Sequence, residues 1–128
     1  MQSKVIPYSA DNEYFFQEGC FINEMSNSTE DNALSIARAC VRPQEKTRWH
    51  KLRDRIERYV ILQGTGYVEI GQTPPQRVSI GDVVLIPADC PQRIENRGDE
   101  DLVFLALCTP RFTPDSYIDI DDEEKGSF

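Results

Sequence analysis

The chain lacks long hydrophobic runs: no apolar segment approaches the roughly 20 residues that a membrane-spanning helix needs. Its first residues, MQSKVIPYSADNEYFF, also lack the apolar core of a secretory signal peptide. Basic residues are few relative to acidic ones, 14 against 22, and the formal net charge is -8. Such a charge opposes binding to phosphate backbones and anionic membranes. We therefore expect a cytoplasmic protein whose partners include neither nucleic acid nor membranes.

Cysteine occurs without the spacing that is typical of a structural metal site. Cys20, Cys40, Cys90 and Cys108 are far apart in the chain, and no two of them form a C-x-x-C pair. Structural zinc sites usually draw on such close pairs, so a four-cysteine site is disfavoured. In a reducing compartment the four residues are predicted to be free, buried thiols.

Short strand-like segments separated by turn residues run through most of the chain. The segments are CFINEM, ALSIARACV, ERYVIL, GYVEIG, RVSI, VVLIP, QRIEN and LVFLALC, and QGTG and RGDED between them are typical of hairpin turns. Their spacing of roughly 8–12 residues indicates a β-sandwich or barrel. The length of 128 residues fits one domain with one core.

The stretch WHKLRDRIERYVIL, which begins at Trp49, allows two interpretations. As a helix over 45–58, it would place Leu52 and Ile56 on one apolar stripe beneath a basic surface. However, no cap or glycine separates that helix from the strand-like YVIL that follows. As a strand, it would turn Glu57 and alternate residues after it toward one face. The same stretch contains His50, the only histidine.

Two separated stretches carry a resemblance to the cupin family. The first reads His50-x-Leu52, four residues, Glu57, six residues, Gly64; the second reads Gly81, five residues, Pro87-x-Asp89, two residues, Gln92, three residues, Asn96. These are the spacings of the two cupin motifs. Two family glycines are replaced, by Gln44 before the first motif and by Asp89 within the second.

The resemblance implies an all-β fold, a cupin-type double-stranded β-helix or jelly-roll barrel, as a single domain over 1–128. It places the core at about 34–109, an N-terminal arm with strands at 1–33, and an acidic C-terminal tail at 115–128 with a frayed end. Small cupins commonly form dimers through terminal strands. The resemblance therefore implies a homodimer in which the first 30 residues and the TPRF segment are interface material.

The chain departs from the metal-binding cupin pattern at two positions. In metal-binding members, the motifs supply three histidines and a glutamate, whereas here Leu52 and Gln92 replace two of the histidines. Imidazole is the donor that suits Zn, Fe, Ni and Cu, so its loss should weaken the binding of these ions. Three interpretations of His50, Glu57 and Gln92 stay open: a weak divalent metal site, a metal-free pocket for ligand binding or acid–base work, and a structural polar network.

Other side chains are candidates for ligand binding beside Gln92. Trp49 and Tyr59 could line a pocket against a ring, although core packing is the more common use of such residues. Arg38 could bind a carboxylate or phosphate if it points inward, whereas surface positions are expected for Arg48 and Arg93.

The function predicted from these features is that of a small-molecule-binding cupin. One hypothesis is an enzyme of the isomerase or cyclase kind, in which His50 and Glu57 are the catalytic acid–base groups and the metal is weakly bound or absent. The alternative is a non-catalytic cupin that binds or senses a small ligand. Fold analogy alone does not decide between them.

Overall fold

The computed structural model describes residues 1–121 and consists almost entirely of antiparallel strands. The all-β prediction is therefore confirmed. Two short 3-10 helices, Ala10–Asn12 and Pro114–Ser116, accompany the strands. The strands are β1 Tyr14–Phe16, β2 Cys20–Ser26, β3 Ser35–Val41, β4 His50–Leu52, β5 Ile56–Gln63, β6 Gly66–Ile70, β7 Gln76–Val78, β8 Val83–Ile86, β9 Gln92–Glu95, β10 Leu102–Thr109 and β11 Tyr117–Asp119.

The strands form two sheets that enclose one main core. The six-stranded sheet has the order β1-β2-β3-β10-β5-β8, and the five-stranded sheet has the order β11-β4-β9-β6-β7. Successive side chains of a strand alternate between faces. On β5 this alternation buries Glu57, Tyr59 and Ile61, and on β9 it buries Gln92 and Ile94, as the sequence pattern predicts.

The helix over 45–58 is wrong. His50–Leu52 and Ile56–Gln63 are strands of different sheets, joined by a short turn. Asp54 in that turn has φ of 57°, a left-handed conformation that ends regular structure. Lys51 therefore lies on β4, Arg53 and Arg55 near the turn, and Arg58 on the partly exposed face of β5, rather than on a helix.

The hairpins predicted at QGTG and RGDED are also wrong. β5 and β6 belong to different sheets, and so do β9 and β10, so both links cross from one sheet to the other. Gly64 has φ of 81°, and a Cβ there would lie 2.7 Å from the backbone oxygen of Asp101. The glycine is required by this close crossing rather than by a two-residue hairpin.

Both terminal regions add strands to the barrel. β1 and β2 extend the six-stranded sheet beyond β3 within the same chain. At the other end, β11 pairs with β4, and Ile120 donates its backbone N–H to the Trp49 carbonyl. The acidic tail predicted from residue 115 onward therefore starts as part of the barrel, because Tyr117 and Ile120 are buried between its acidic residues. The frayed end expected beyond 121 lies outside the described residues.

Within residues 1–121, the prediction that the cysteines are free thiols is confirmed. All four cysteines are free; Cys20, Cys40 and Cys108 are buried, and Cys90 is partly buried. No helix in this part of the chain is long and apolar enough to cross a membrane.

Candidate functional site

A cavity opens at one end of the barrel, between the N-terminal strands and β4. Its walls are largely apolar, and about 50 Å³ of it can be occupied by the centres of water molecules. One water needs about 10–15 Å³ on that measure, so the enclosed part holds about four waters or a ligand portion of similar size. The lining residues are Tyr14, Phe16, Glu18, Ile22, Glu24, Asn27, Ser35, Ile36, Ala37, His50, Leu52, Glu57, Ala106, Cys108 and Phe112.

His50 projects into this cavity from β4 with only 1% of its surface exposed. Its Nδ1 lies 2.6 Å from the backbone oxygen of Arg48, an atom that can only accept a hydrogen bond. Nδ1 therefore carries a proton, and in the neutral ring Nε2 holds the free electron pair. The ring also stacks on Tyr117, with centroids 5.1 Å apart and an interplanar angle of 25°.

Glu18 is a cavity residue that the sequence did not reveal. Its Oε2 lies 3.7 Å from His50 Nε2, beyond hydrogen-bond distance. The turn between β1 and β2 brings it there, helped by Gly19 at φ of 100° and by the Arg48 N–H, which donates to the Glu18 carbonyl. No local motif marks this contact, because the two residues lie far apart in the sequence.

Glu57 lies on β5 and is only 8% exposed. The Gln92 side-chain amide donates to its Oε1 at 2.7 Å, and the Cys108 thiol lies 3.7 Å from its Oε2. Burial, with a smaller contribution from the charge of Glu18, raises the pKa of this carboxyl from 4.5 to about 7, although His50 and the Gln92 hydrogen bond oppose the rise. Near neutral pH the group is therefore divided between its acid and its carboxylate form.

Gln92 and Tyr59 form a buried support behind Glu57. The Tyr59 hydroxyl donates to Gln92 Oε1 at 2.5 Å, while the amide nitrogen of Gln92 donates to Glu57. Burial raises the pKa of Tyr59 well above its usual range, so the phenol stays a donor. Neither residue lines the cavity, so both orient Glu57 rather than face a ligand.

Comparison with known proteins identifies the family. The family model described as a cupin domain matches residues 37–108, more than half of the chain. The chain belongs to the cupin family. The uncharacterized protein MJ1618 of Methanocaldococcus jannaschii is 31% identical over 102 residues, which are 78% of this chain and 81% of that protein.

Solved structures share the cupin fold. A predicted oxalate decarboxylase from Thermotoga maritima has a TM-score of 0.64 and 28% identity, and the match covers 71% of this chain and 80% of that one. Pac13, described as a unique nucleoside dehydratase, has a TM-score of 0.75 and 12% identity over 93% of this chain and 92% of its own. At 12% identity, the similarity to Pac13 concerns the fold alone.

This cupin keeps the backbone of its motifs where it replaces their glycines. Gln44 and Asp89 have φ of 66° and 60°, the left-handed conformation that glycine adopts without strain. Gln44 is held there by hydrogen bonds from its side-chain amide to the carbonyls of Arg97 and Gly98. Asp89 Oδ1 accepts from the Asp54 N–H. Hydrogen bonds to distant segments of the chain therefore stabilise conformations that the family motif assigns to glycine.

The donors present do not fit the family's metal centre. Within residues 1–121 no group of three or more His, Cys, Asp or Glu side chains is arranged to hold a metal ion. Gln92, the third predicted ligand, accepts from Tyr59 with its oxygen, donates to Glu57 with its amide nitrogen, and is not among the lining residues. Leu52, at the position of a family histidine, contributes a methyl surface to the lining.

The remaining candidates for ligand binding lie outside the cavity lining. Trp49 is buried beneath the guanidinium of Arg93, which also donates to Glu69. Arg38 forms an ion pair with Glu13 at 3.5 Å, on the outside of the six-stranded sheet.

Proposed function

We propose that this cupin is a small-molecule enzyme of the isomerase or cyclase kind that transfers protons between a bound substrate and the pair His50 and Glu57, without a bound metal. The observation that carries the proposal is the contrast between these two side chains in one apolar cavity. The Arg48 carbonyl fixes the tautomer in which the unprotonated nitrogen of neutral His50 is Nε2, and the buried carboxyl of Glu57 holds a proton up to about neutral pH. A base and an acid available at the same pH are the requirement of concerted proton transfer.

The proposed first step is enolisation of a carbonyl compound. Nε2 of His50 takes a proton from the carbon beside the carbonyl, and Glu57 gives its proton to the carbonyl oxygen. In an isomerisation of a β,γ-unsaturated carbonyl compound, the enol is conjugated with the second double bond; His50 then gives its proton to the far carbon of that double bond, and Glu57 recovers a proton from the enol oxygen. Both groups end as they began. A cyclase would use the same enol as its internal nucleophile.

Neighbouring groups support each role. The Arg48 carbonyl holds the imidazole in the tautomer that exposes Nε2. Glu18, 3.7 Å away, stabilises the imidazolium that forms when His50 accepts a proton. Gln92 keeps one oxygen of Glu57 hydrogen-bonded, and the apolar walls keep bulk water from the reacting atoms.

The test is proton exchange with solvent. A panel of small aldehydes and ketones is incubated with the protein in D₂O, and NMR follows deuterium uptake at the carbon beside the carbonyl. This readout needs no knowledge of the product. We expect exchange of at least one compound, loss of that exchange in His50→Gln, and a reduction of roughly 10²-fold or more in Glu57→Gln.

Glu100→Gln is the matched control, because Glu100 is an exposed carboxylate away from the cavity and the change preserves shape. It should keep the wild-type exchange rate. Ligand-induced thermal stabilisation without exchange of any compound would overturn the catalytic proposal and favour the non-catalytic binding cupin. Exchange that survives in His50→Gln would remove that residue from the mechanism.

We also propose that the chain forms a homodimer and acts in the cytoplasm. Four free thiols agree with a reducing compartment. Val83 and Leu85 on the edge strand β8 are 58% and 68% exposed, and Val60 lies beside Val83 in the register. A second copy would cover these side chains about a twofold axis, at an interface different from the one that the resemblance implies for the first 30 residues and the TPRF segment. Light scattering should then give a dimer for the wild type and a monomer for Leu85→Lys; a monomeric wild type would contradict the proposal.

A further inference from the structure

The charged groups that line the cavity are almost all acidic. Glu57 lies at its inner end, Glu18 beside His50, and Glu24 on the exposed side of β2. Within residues 1–121, no lysine or arginine is among the lining residues. The potential inside the cavity is therefore negative near neutral pH whenever His50 is uncharged, and a low-dielectric wall strengthens it.

Three arginines that neighbour lining residues in the sequence are engaged elsewhere. Arg111 donates to the side-chain oxygens of Asn27 and Asn32. Arg58 donates to Thr109, and Arg38 pairs with Glu13. None of these three guanidinium groups is among the lining residues, so none of them offers a cation to a ligand carboxylate or phosphate.

The neutral part of the wall is aromatic. Phe16 packs edge-to-face against both Tyr14 and Phe112, with ring centroids 6.4 Å and 6.0 Å apart, and all three line the cavity. Aromatic faces attract cations through their quadrupole. Rings combined with carboxylates form a surface that suits an organic cation better than an anion.

One ring nitrogen of His50 faces this surface without a direct hydrogen bond to residues 1–121. His50 is almost fully buried, and the structure gives its Nε2 no hydrogen bond within the described residues; the nearest carboxylate oxygen is the one on Glu18. A ring nitrogen at the cavity wall beside a carboxylate is open to a hydrogen bond with a molecule in the cavity.

We propose that the ligand of this cavity is a small amine that binds as its ammonium ion, held by Glu18 and Glu24 and by the aromatic wall. The inference rests on the proposed function and names its substrate class: a carbonyl compound that also carries an amino group. It excludes the phosphorylated and carboxylated substrates for which inward-pointing arginines would be needed. The enclosed volume admits the reactive end of such a molecule, while Glu24 meets its outer end.

The experiment compares three probes with the same number of non-hydrogen atoms: n-butylammonium, 1-butanol and propionate. NMR titrations at low ionic strength follow the ring signals of His50, which are unique because the chain contains one histidine. We expect butylammonium to bind most tightly, 1-butanol more weakly and propionate least. Raising the salt concentration should weaken only the butylammonium complex, because screening acts on charge pairs.

Two variants test the carboxylates and one controls for surface charge. Glu18→Gln should weaken butylammonium binding by roughly fivefold and the exposed Glu24→Gln by roughly twofold, the usual sizes for partly buried and exposed charge contacts. Glu100→Gln changes the net charge equally and should leave the affinity unchanged. Glu24 is exposed, so its variant is informative even if Glu18→Gln folds poorly.

The outcomes separate this inference from the proposed function. Tighter binding of 1-butanol or propionate, a butylammonium affinity that is unchanged in both carboxylate variants, or butylammonium titrations that leave the His50 signals unmoved would each overturn it. Deuterium exchange of uncharged carbonyl compounds together with any of these results would leave the proton-transfer proposal intact. Butylammonium binding without exchange of any compound would support the cation site and refute the enzyme.

Discussion

Replacement of Glu57 by glutamine should make the protein more stable, and more so as the pH rises. The carboxyl is buried at the cavity wall, and its pKa is raised from 4.5 to about 7 chiefly by that burial. A raised pKa means that the folded state prefers the protonated acid. The stabilising effect of protonation is fully present below pH 4.5 and is lost as the pH rises through 7. Glutamine keeps an oxygen that can accept from Gln92 but never acquires the buried charge.

The magnitude follows from the two pKa values. Each unit of difference corresponds to about 1.36 kcal/mol, so the full effect between strongly acidic and strongly basic pH is about 3.4 kcal/mol. Integration over the titration places about 2.5 kcal/mol of it between pH 5 and pH 8. Glu57→Gln should therefore gain about 2.5 kcal/mol of stability relative to the wild type when the pH is raised across that interval.

Urea denaturation at pH 5 and pH 8, for both proteins, measures this difference directly. Comparing the variant with the wild type cancels the titration of all other groups that the substitution leaves unchanged. Glu100→Gln serves as the control and should show no such pH dependence, because its carboxylate is exposed. A stability difference for Glu57→Gln that is the same at both pH values would refute the raised pKa, and with it the assignment of Glu57 as the acid.

Three further changes test other parts of the structure. Gly64→Ala should lower the free energy of unfolding, measured by urea denaturation, by about 2–4 kcal/mol, because the new Cβ would lie 2.7 Å from a backbone oxygen at an unfavourable φ. Gly81→Ala, with φ of 89° and open space around it, should lower it by about 1 kcal/mol, and equal losses would contradict the close crossing at Gly64. Tyr59→Phe removes the donor to Gln92 and should cost about 1–2 kcal/mol, and an unchanged stability would argue against that hydrogen bond. The double variant Leu52→His with Gln92→His restores the family's histidines and should bind one divalent metal ion per chain, measured by elemental analysis, while each single variant should bind less. An equal metal content in the wild-type protein would contradict the conclusion that its donors do not fit the family's metal centre.

Much of the fold and the inner face of the site could be predicted from the sequence. Alternation along IERYVIL directs Glu57 inward, and the motif spacing places Gln92 on a strand that pairs with His50. Local pattern and spacing suffice here because strand geometry fixes which side chains share a face. The same reasoning could not distinguish a hairpin from a crossing between sheets, since both need glycine in a tight link.

The parts that the sequence did not reveal depend on contacts between distant segments. Glu18 reaches His50 only because β1 and β2 are added to the sheet edge, and Tyr117 stacks on His50 only because β11 pairs with β4. Neither residue lies in a recognisable motif. Arg38 could not be assigned a face from its alternating alanine and cysteine neighbours, and its partner Glu13 again comes from a distant segment.

The central claim is that His50 presents an unprotonated Nε2 to the cavity while Nδ1 is held by the Arg48 carbonyl. A two-bond ¹H–¹⁵N spectrum of untagged, ¹⁵N-labelled protein tests this directly, because His50 is the only histidine and no assignment is needed. Above the imidazole titration, the spectrum should show a protonated Nδ1 and an unprotonated Nε2. The opposite tautomer, or Nε2 shifted by a coordinated metal, would contradict the account.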